Sequence, residues 1–175
     1  MNVRPPSSAE VAPERAGAGL STVRIALPAD VKQMAPLINA AFAIETFLDG
    51  ARTDEGQLAE MMRRGVFLLG YDAQGEMVAS VYVELRGTRA YLGVLAVSPA
   101  RQNRGFGRAM MGVAEDYCRA RGSTVVDLTV LSLRPELPPF YEKCGYRETG
   151  REEFRPSRPL RNGLECHLIV MSKPL

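Results

Sequence analysis

The sequence is poor in the residues that form several common kinds of functional site. Its 175 residues include no tryptophan, one histidine and three cysteines. The number of cysteines is odd, and Cys118, Cys144 and Cys166 lie far apart without a C-x-x-C pair. This pattern argues against a disulfide framework or a zinc site. We therefore expect no metal, three reduced thiols and a cytoplasmic location, where thiols stay reduced.

Long apolar runs and a strong excess of one charge are also missing. No uncharged apolar run reaches the ~18 residues that a membrane span requires, and the N-terminus lacks the basic and apolar regions of a secretory signal. The 22 lysines and arginines nearly balance the 20 aspartates and glutamates, so the chain lacks the basic footprint typical of nucleic-acid binding. These absences predict a soluble protein that binds neither membranes nor nucleic acid.

The chain divides into a short tail and one domain. Residues 1–20 are rich in proline, alanine, serine and glutamate without periodicity, which predicts a flexible tail. Residues 21–175 are long enough for a single packed domain. Up to Val97, apolar or alternating runs separated by turn residues predict antiparallel strands. The strand–helix–strand segment that follows predicts a parallel pair, so we expect an α/β fold with a mixed sheet.

Alternation and helical spacing define the expected elements. Strands are predicted at Ser21–Leu27, Val66–Tyr71, Glu76–Leu85, Ala90–Val97, Val125–Leu131 and Leu164–Ser172. Helices are predicted from Asp30, from Thr53, between Phe106 and Gly122, and over Pro138–Cys144. Asp30 and Thr53 are the expected N-caps, and Pro36 should kink or restart the first helix. Loops are predicted at Ala43–Arg52 and Phe154–Gly163.

A basic, glycine-bearing loop joins the end of a strand to the start of the longest predicted helix. It reads LAVSPARQNRGFGR over residues 95–108. A helix N-terminus presents free backbone N–H groups and a positive dipole end to an anion, and glycine permits close approach. Arg101, Arg104 and Arg108 add positive charge. The expected ligand is a pyrophosphate.

Two familiar phosphate loops fit this segment poorly. The glycines that have P-loop spacing, Gly107 and Gly112, are followed by Val113 where that motif requires lysine. The dinucleotide fingerprint would place Met110 where close helix–strand packing needs glycine or alanine. A nicotinamide-dependent oxidoreductase is therefore the weaker alternative.

A third pattern fits better. Gln102-x-x-Gly105-x-Gly107, together with Phe140-Tyr141-Glu142-Lys143-Cys144-Gly145-Tyr146 further along, resembles the GNAT superfamily of N-acetyltransferases. The order of elements from Ser21 to Ser172 is also similar. The resemblance implies a mostly antiparallel sheet with a V-shaped splay, flanked by helices. It further implies transfer of an acetyl group from acetyl-coenzyme A to a primary amine by direct attack in a ternary complex.

The resemblance also implies which residues hold acetyl-coenzyme A. The strand end is expected to pair with the pantetheine arm and the loop to bind the pyrophosphate. The residues so assigned are Leu95, Ala96, Val97, Gln102, Asn103, Arg104, Gly105, Phe106, Gly107, Arg108 and Arg134. Arg134 stands seven residues before Tyr141, where the family often has asparagine, so it could instead pair with a phosphate or with an acidic side chain. Gly93 predicts a bulge in this strand.

Four residues are the candidates for catalytic and acceptor-binding roles. Tyr141 is the expected acid for the leaving thiolate, as in the family. Glu84 shares a face with Tyr82 and is the candidate base. Glu45 and Asp49, in the loop that the family uses for its acceptor, are expected to attract a cationic amine.

The sequence contains no motif that identifies the acceptor. The basic loop Phe154–Gly163, with Arg158 and Arg161, would instead suit an acceptor bearing a carboxylate or phosphate. The resemblance implies a small-molecule amine or a protein as acceptor, and it is compatible with a homodimer. The alternative function is an acyl-coenzyme A binding module without efficient catalysis.

Overall fold

The computed structural model describes residues 19–156 and 158–175. Seven strands form one sheet in the order β1-β2-β3-β4-β5-β7-β6. Their bounds are β1 Thr22–Ile25, β2 Val66–Tyr71, β3 Met77–Arg86, β4 Arg89–Val97, β5 Val125–Leu131, β6 Arg147–Glu153 and β7 His167–Pro174. Neighbours are antiparallel except β4 and β5. This arrangement confirms the mixed, mostly antiparallel sheet.

Helices cover both faces of the sheet. Their bounds are α1 Val31–Ala41, α2 Glu55–Arg64, α3 Phe106–Arg119 and α4 Leu137–Lys143. Side chains alternate along β3, so Val81 and Val83 pack in the cluster that contains the buried face of α3, while Tyr82 packs in the cluster of α1 and α2. Burial on both faces explains why β3 is apolar at nearly every position.

Several element boundaries differ from the sequence prediction. The N-cap of α2 is Asp54, whose side chain accepts a hydrogen bond from the Gln57 N–H at 2.8 Å, and not Thr53. The helix α1 runs through Pro36 as one element. The strand β6 was not predicted because its sequence, RETGREE, has no apolar residue; it is an edge strand that pairs only with β7 among the described strands.

The predicted tail lies outside the described residues except for its end. Leu20 is 3% exposed and packs in the same cluster as Phe106 and Met110, so packing begins before residue 21. In the described part of the chain, none of the helices has both the length and the apolar character needed to cross a bilayer.

The strands β4 and β5 form the V-shaped opening. Their ladder runs from Arg89↔Val125 to Leu92↔Leu128. Beyond it, β4 stays paired with β3 and β5 stays paired with β7, so the two strands part. The register between β3 and β4 shifts past Gly93, and Val94 takes a φ of 48°, a conformation that is strained for a β-branched residue. The predicted bulge is therefore confirmed at the fork.

Candidate active site

A cleft of about 990 Å³ opens where β4 and β5 part. The ends of these strands, the loop before α3, the helix α4 and the loops after α1 and β6 line it. This volume lies at the upper end of the range for small-molecule sites, which leaves room for more than one reactant.

The anion loop, residues 102–108, forms one wall of this cleft. Gly105 caps α3 with a φ of 84° and Asn103 also has a positive φ. In the described structure, no acceptor receives a hydrogen bond from the backbone N–H groups of residues 103–108. Free N–H donors and the positive end of the α3 dipole are groups that can bind a phosphate or pyrophosphate.

Contacts to the sheet hold the anion loop in place. The Arg101 guanidinium donates to the Asp72 carboxylate at 2.7 Å, and Asp72 is 3% exposed. The Gln102 side chain donates to the Val97 carbonyl at 3.2 Å. The charge of Arg101 is thus neutralised by Asp72, which holds the loop in place. From the sequence, Asp72 was predicted only as a turn residue.

Most of the predicted cofactor residues come together here. Those that line the cleft are Leu95, Val97, Gln102, Asn103, Gly105, Phe106, Gly107, Arg108 and Arg134. Ala96 is fully buried against the α1 side of the sheet and is not among the lining residues. Arg104 is exposed and is not among the lining residues.

Tyr141 lies on α4 and lines the cleft. Its ring packs edge-on against Phe140 and Tyr146, with centroid distances of 5.0 and 6.0 Å. Burial raises the pKa of Tyr141 above its usual value, and the nearby Tyr91 adds to the rise. No described residue forms a hydrogen bond with its hydroxyl. The phenol therefore keeps its proton at neutral pH and is free to donate it to a bound molecule.

Two of the predicted carboxylates lie outside the cleft. Glu84 accepts hydrogen bonds from Arg86 at 2.9 Å and from the Tyr82 hydroxyl at 3.0 Å, and the Arg86 guanidinium lowers the pKa of this carboxyl. The Tyr82 hydroxyl is also 3.2 Å from the Met61 carbonyl, so this group faces α2. Asp49 pairs with Arg161 and does not line the cleft either.

Glu45 does line the cleft, but two arginines occupy its carboxylate. It is 5% exposed. Its Oε1 accepts from Arg134 at 3.0 Å and its Oε2 from Arg158 at 3.3 Å. Arg134 also donates to Glu136 at 2.6 Å. Arg134 therefore pairs with acidic side chains, the second of the two roles expected for it.

Arg52, which was not predicted as a site residue, lines the cleft beside this group. Its guanidinium lies 5.1 Å from the centre of the Phe42 ring, and burial lowers the pKa of Arg52. It forms no salt bridge or hydrogen bond with any described residue. We call Arg52, Arg134, Arg158 and Glu45 together the arginine wall. The only sequence signal for Arg52 was its place at the end of the predicted loop 43–52.

Two loops meet behind the arginine wall. Leu48 and Leu160 form an isolated antiparallel bridge. The Arg158 guanidinium donates to the Gly50 carbonyl at 3.0 Å, and the Asp49 N–H donates to the Pro159 carbonyl at 3.1 Å. These contacts fix the loop 43–52 to the loop 154–163 and place Arg158 in the cleft.

The chain matches the family model described as an acetyltransferase (GNAT) domain over residues 31–157. The chain belongs to the GNAT acetyltransferase family. Its GNAT domain is similar to a spermidine N-acetyltransferase from Vibrio cholerae solved with CoA and spermine, with a TM-score of 0.70, 20% identity, and coverage of 87% of this chain and 94% of that one. It is also similar to a phosphinothricin acetyltransferase from Sinorhizobium meliloti solved with AcCoA, with a TM-score of 0.70, 15% identity and 88% coverage of each chain.

A sequence relative is the mycothiol acetyltransferase of Clavibacter michiganensis subsp. michiganensis (strain NCPPB 382). It is 31% identical over 83 residues, which are 47% of this chain and 27% of that protein. The match thus spans about a quarter of the relative's length. The family match and the shared fold confirm the GNAT resemblance seen in the sequence, and they say nothing about the acceptor.

Proposed function

We propose that this GNAT domain transfers the acetyl group of acetyl-coenzyme A to a primary amine by direct attack in a ternary complex. The observation that carries the proposal is the convergence of three features on one cleft. These are the free N–H groups of residues 103–108, the parted edge of β4 and the Tyr141 hydroxyl. Neighbouring structures solved with CoA or AcCoA support the choice of co-substrate.

The anion loop would bind the pyrophosphate. Free backbone N–H groups at a helix N-terminus suit that group, and Arg108 at the cleft adds a cation. The pantetheine arm would lie along β4 past the fork, where residues 93–97 have no pairing partner in β5. A backbone N–H at this bulge is the candidate donor to the oxyanion that forms at the thioester carbonyl.

Tyr141 would protonate the leaving thiolate. In the transfer, the amine nitrogen bonds to the carbonyl carbon, the carbon–sulfur bond breaks, and the sulfur takes the phenol proton. The attacking nitrogen loses one proton to water, and a proton from water restores the phenol. With ordinary pKa values of ~10 for a phenol and ~8.5 for a thiol, this proton transfer costs about 2 kcal/mol, and the raised pKa of Tyr141 adds to that cost. The proton transfer is therefore uphill, and it is completed because the net product of the reaction is a stable amide.

The two described carboxylates that line the cleft, Glu45 and Glu136, are both paired with arginine. Glu45 is engaged by two arginines and Glu84 faces α2. We therefore propose that the amine reacts as its neutral form, after losing its proton to water. The rate should then rise with pH as the amine is deprotonated, because only the neutral amine is a nucleophile.

An assay of thiol release from acetyl-coenzyme A tests the function. The protein is mixed with acetyl-coenzyme A and a panel of amines, and free thiol is followed with and without each amine. Amine-dependent thiol release, with the acetylated amine found by mass spectrometry, supports the transferase. Tight binding of acetyl-coenzyme A without turnover for any amine would favour the acyl-coenzyme A binding module instead.

A further inference from the structure

Arg52 is an arginine held partly out of water without a protein acceptor. Its guanidinium lines the cleft and stacks on Phe42 at 5.1 Å. The arginines beside it, Arg134 and Arg158, both donate to Glu45. Arg52 makes no such contact with any described residue, although a guanidinium carries five N–H donors.

The groups around Arg52 do not supply the missing acceptor. Both oxygens of Glu45 already accept from the other two arginines. The Tyr91 hydroxyl is engaged with the Thr129 hydroxyl at 3.1 Å. A charge that is partly removed from water without a partner is costly. Arg52, which is half-buried, therefore favours the binding of an anion in the cleft.

Arg52 lines the same cleft as the residues of the reacting centre. Tyr91, at the fork, and Tyr141, on α4, line this cleft together with Arg52. Because the amine must reach the thioester near Tyr141, an anion bound at Arg52 would belong to the same acceptor molecule.

We propose that the acceptor is a small amine that also carries a carboxylate, and that Arg52 binds this carboxylate. The proposal rests on the proposed acetyl transfer. A guanidinium fork matches a carboxylate with two parallel hydrogen bonds. Phe42, Leu48 and Phe154 line the same cleft, so an acceptor with an apolar portion fits as well. A polyamine is positively charged, so the arginines of the arginine wall would repel it.

Paired conjugates test the proposal without knowledge of the natural acceptor. Coenzyme A is joined through a carbonylmethyl group on sulfur to the amine of glycine, β-alanine or γ-aminobutyrate, and each acid is compared with its neutral amide. A conjugate of 1,3-diaminopropane serves as the cationic probe. Binding of each compound and of acetyl-coenzyme A is measured by calorimetry.

The expected result is a preference for an acid. At least one acid should bind roughly 10- to 100-fold more tightly than its amide, the range for a charge-assisted hydrogen bond to a desolvated group. The diamine conjugate should bind more weakly than that acid. In Arg52→Gln the preference should fall below about threefold, while the affinity for acetyl-coenzyme A stays unchanged.

Two further variants separate charge from geometry and from general damage. Arg52→Lys keeps the charge but not the fork, so it should retain part of the preference. Arg63→Gln is the matched control, because Arg63 is exposed on α2 and pairs with Glu60 outside the cleft; it should leave every affinity unchanged.

The outcomes are distinguishable. If acetyl-coenzyme A binds but every acid equals its amide, or if the preference survives in Arg52→Gln, the carboxylate inference is wrong and the proposed function stands. If neither acetyl-coenzyme A nor any conjugate binds, the proposed function fails and the inference fails with it.

Discussion

Replacing Tyr141 with phenylalanine should remove turnover while leaving the fold and the cofactor site intact. The hydroxyl has no hydrogen-bond partner in the described structure, and the ring contacts with Phe140 and Tyr146 are made by carbon atoms. We therefore expect the free energy of unfolding to change by less than about 0.5 kcal/mol. Loss of a general acid lowers kcat by about 100-fold or more.

The assay is steady-state thiol release, with chemical denaturation and acetyl-coenzyme A titration on the same samples. Tyr117→Phe is a suitable control, because Tyr117 is a buried tyrosine of α3 whose pKa is also raised by burial and which does not line the cleft. A kcat in Tyr141→Phe within twofold of wild type, at unchanged stability, would refute the acid role.

The raised pKa of Tyr141 also predicts the pH profile. An acid must be protonated to act, so its contribution is lost only above its own pKa. Since burial places the pKa of Tyr141 above the ordinary value of ~10, wild-type kcat should hold at least to pH ~10 at saturating neutral amine. A decline of kcat in the range of pH ~7–8 in a stable protein would contradict this assignment.

Three further changes test the supporting structure. Gly105→Ala should lower the free energy of unfolding by about 1–2 kcal/mol, because a φ of 84° is strained for alanine. It should also lower the affinity for acetyl-coenzyme A measured by calorimetry. If both values stay unchanged, the geometry of the anion loop is contradicted. Asp72→Asn should release Arg101 and lower the affinity for acetyl-coenzyme A roughly fivefold, as measured by calorimetry. The kcat measured by thiol release should stay unchanged. Lys173→Met removes the cation 2.6 Å from the buried Glu115. The free energy of unfolding measured with denaturant should fall by about 1–3 kcal/mol. An unchanged value would mean that this pair does not stabilise the fold.

The anion loop could be predicted from the sequence because its geometry is local. A strand end, a glycine with positive φ and a helix N-terminus follow one another within residues 95–108. The bulge at the fork was likewise predictable, since Gly93 interrupts an apolar strand, whereas the parting of the strands was implied only by the family resemblance. Both depend on backbone conformation near the residues concerned.

The arginine wall could not be predicted because long-range pairing decides it. Glu45 and Arg158 lie in loops that are far apart in the sequence, and their contact depends on how these loops pack. Strand alternation placed Glu84 on the correct face of β3 but could not show that Arg86 and the Tyr82 hydroxyl engage it near α2. The role of Arg52 depends on the pairing of Arg134 and Arg158 with Glu45, which leaves Arg52 without an acceptor among the described residues.

A titration with acetyl-coenzyme A tests the central claim most directly. Ligand at ~100 times its dissociation constant stabilises a protein by about 2.7 kcal/mol, which for a chain of this size raises Tm by roughly 5–10 °C. We predict this rise with acetyl-coenzyme A and none with NADH under the same conditions. A rise with NADH alone, or no rise with acetyl-coenzyme A, would contradict the assignment of residues 103–108 as the site of its pyrophosphate.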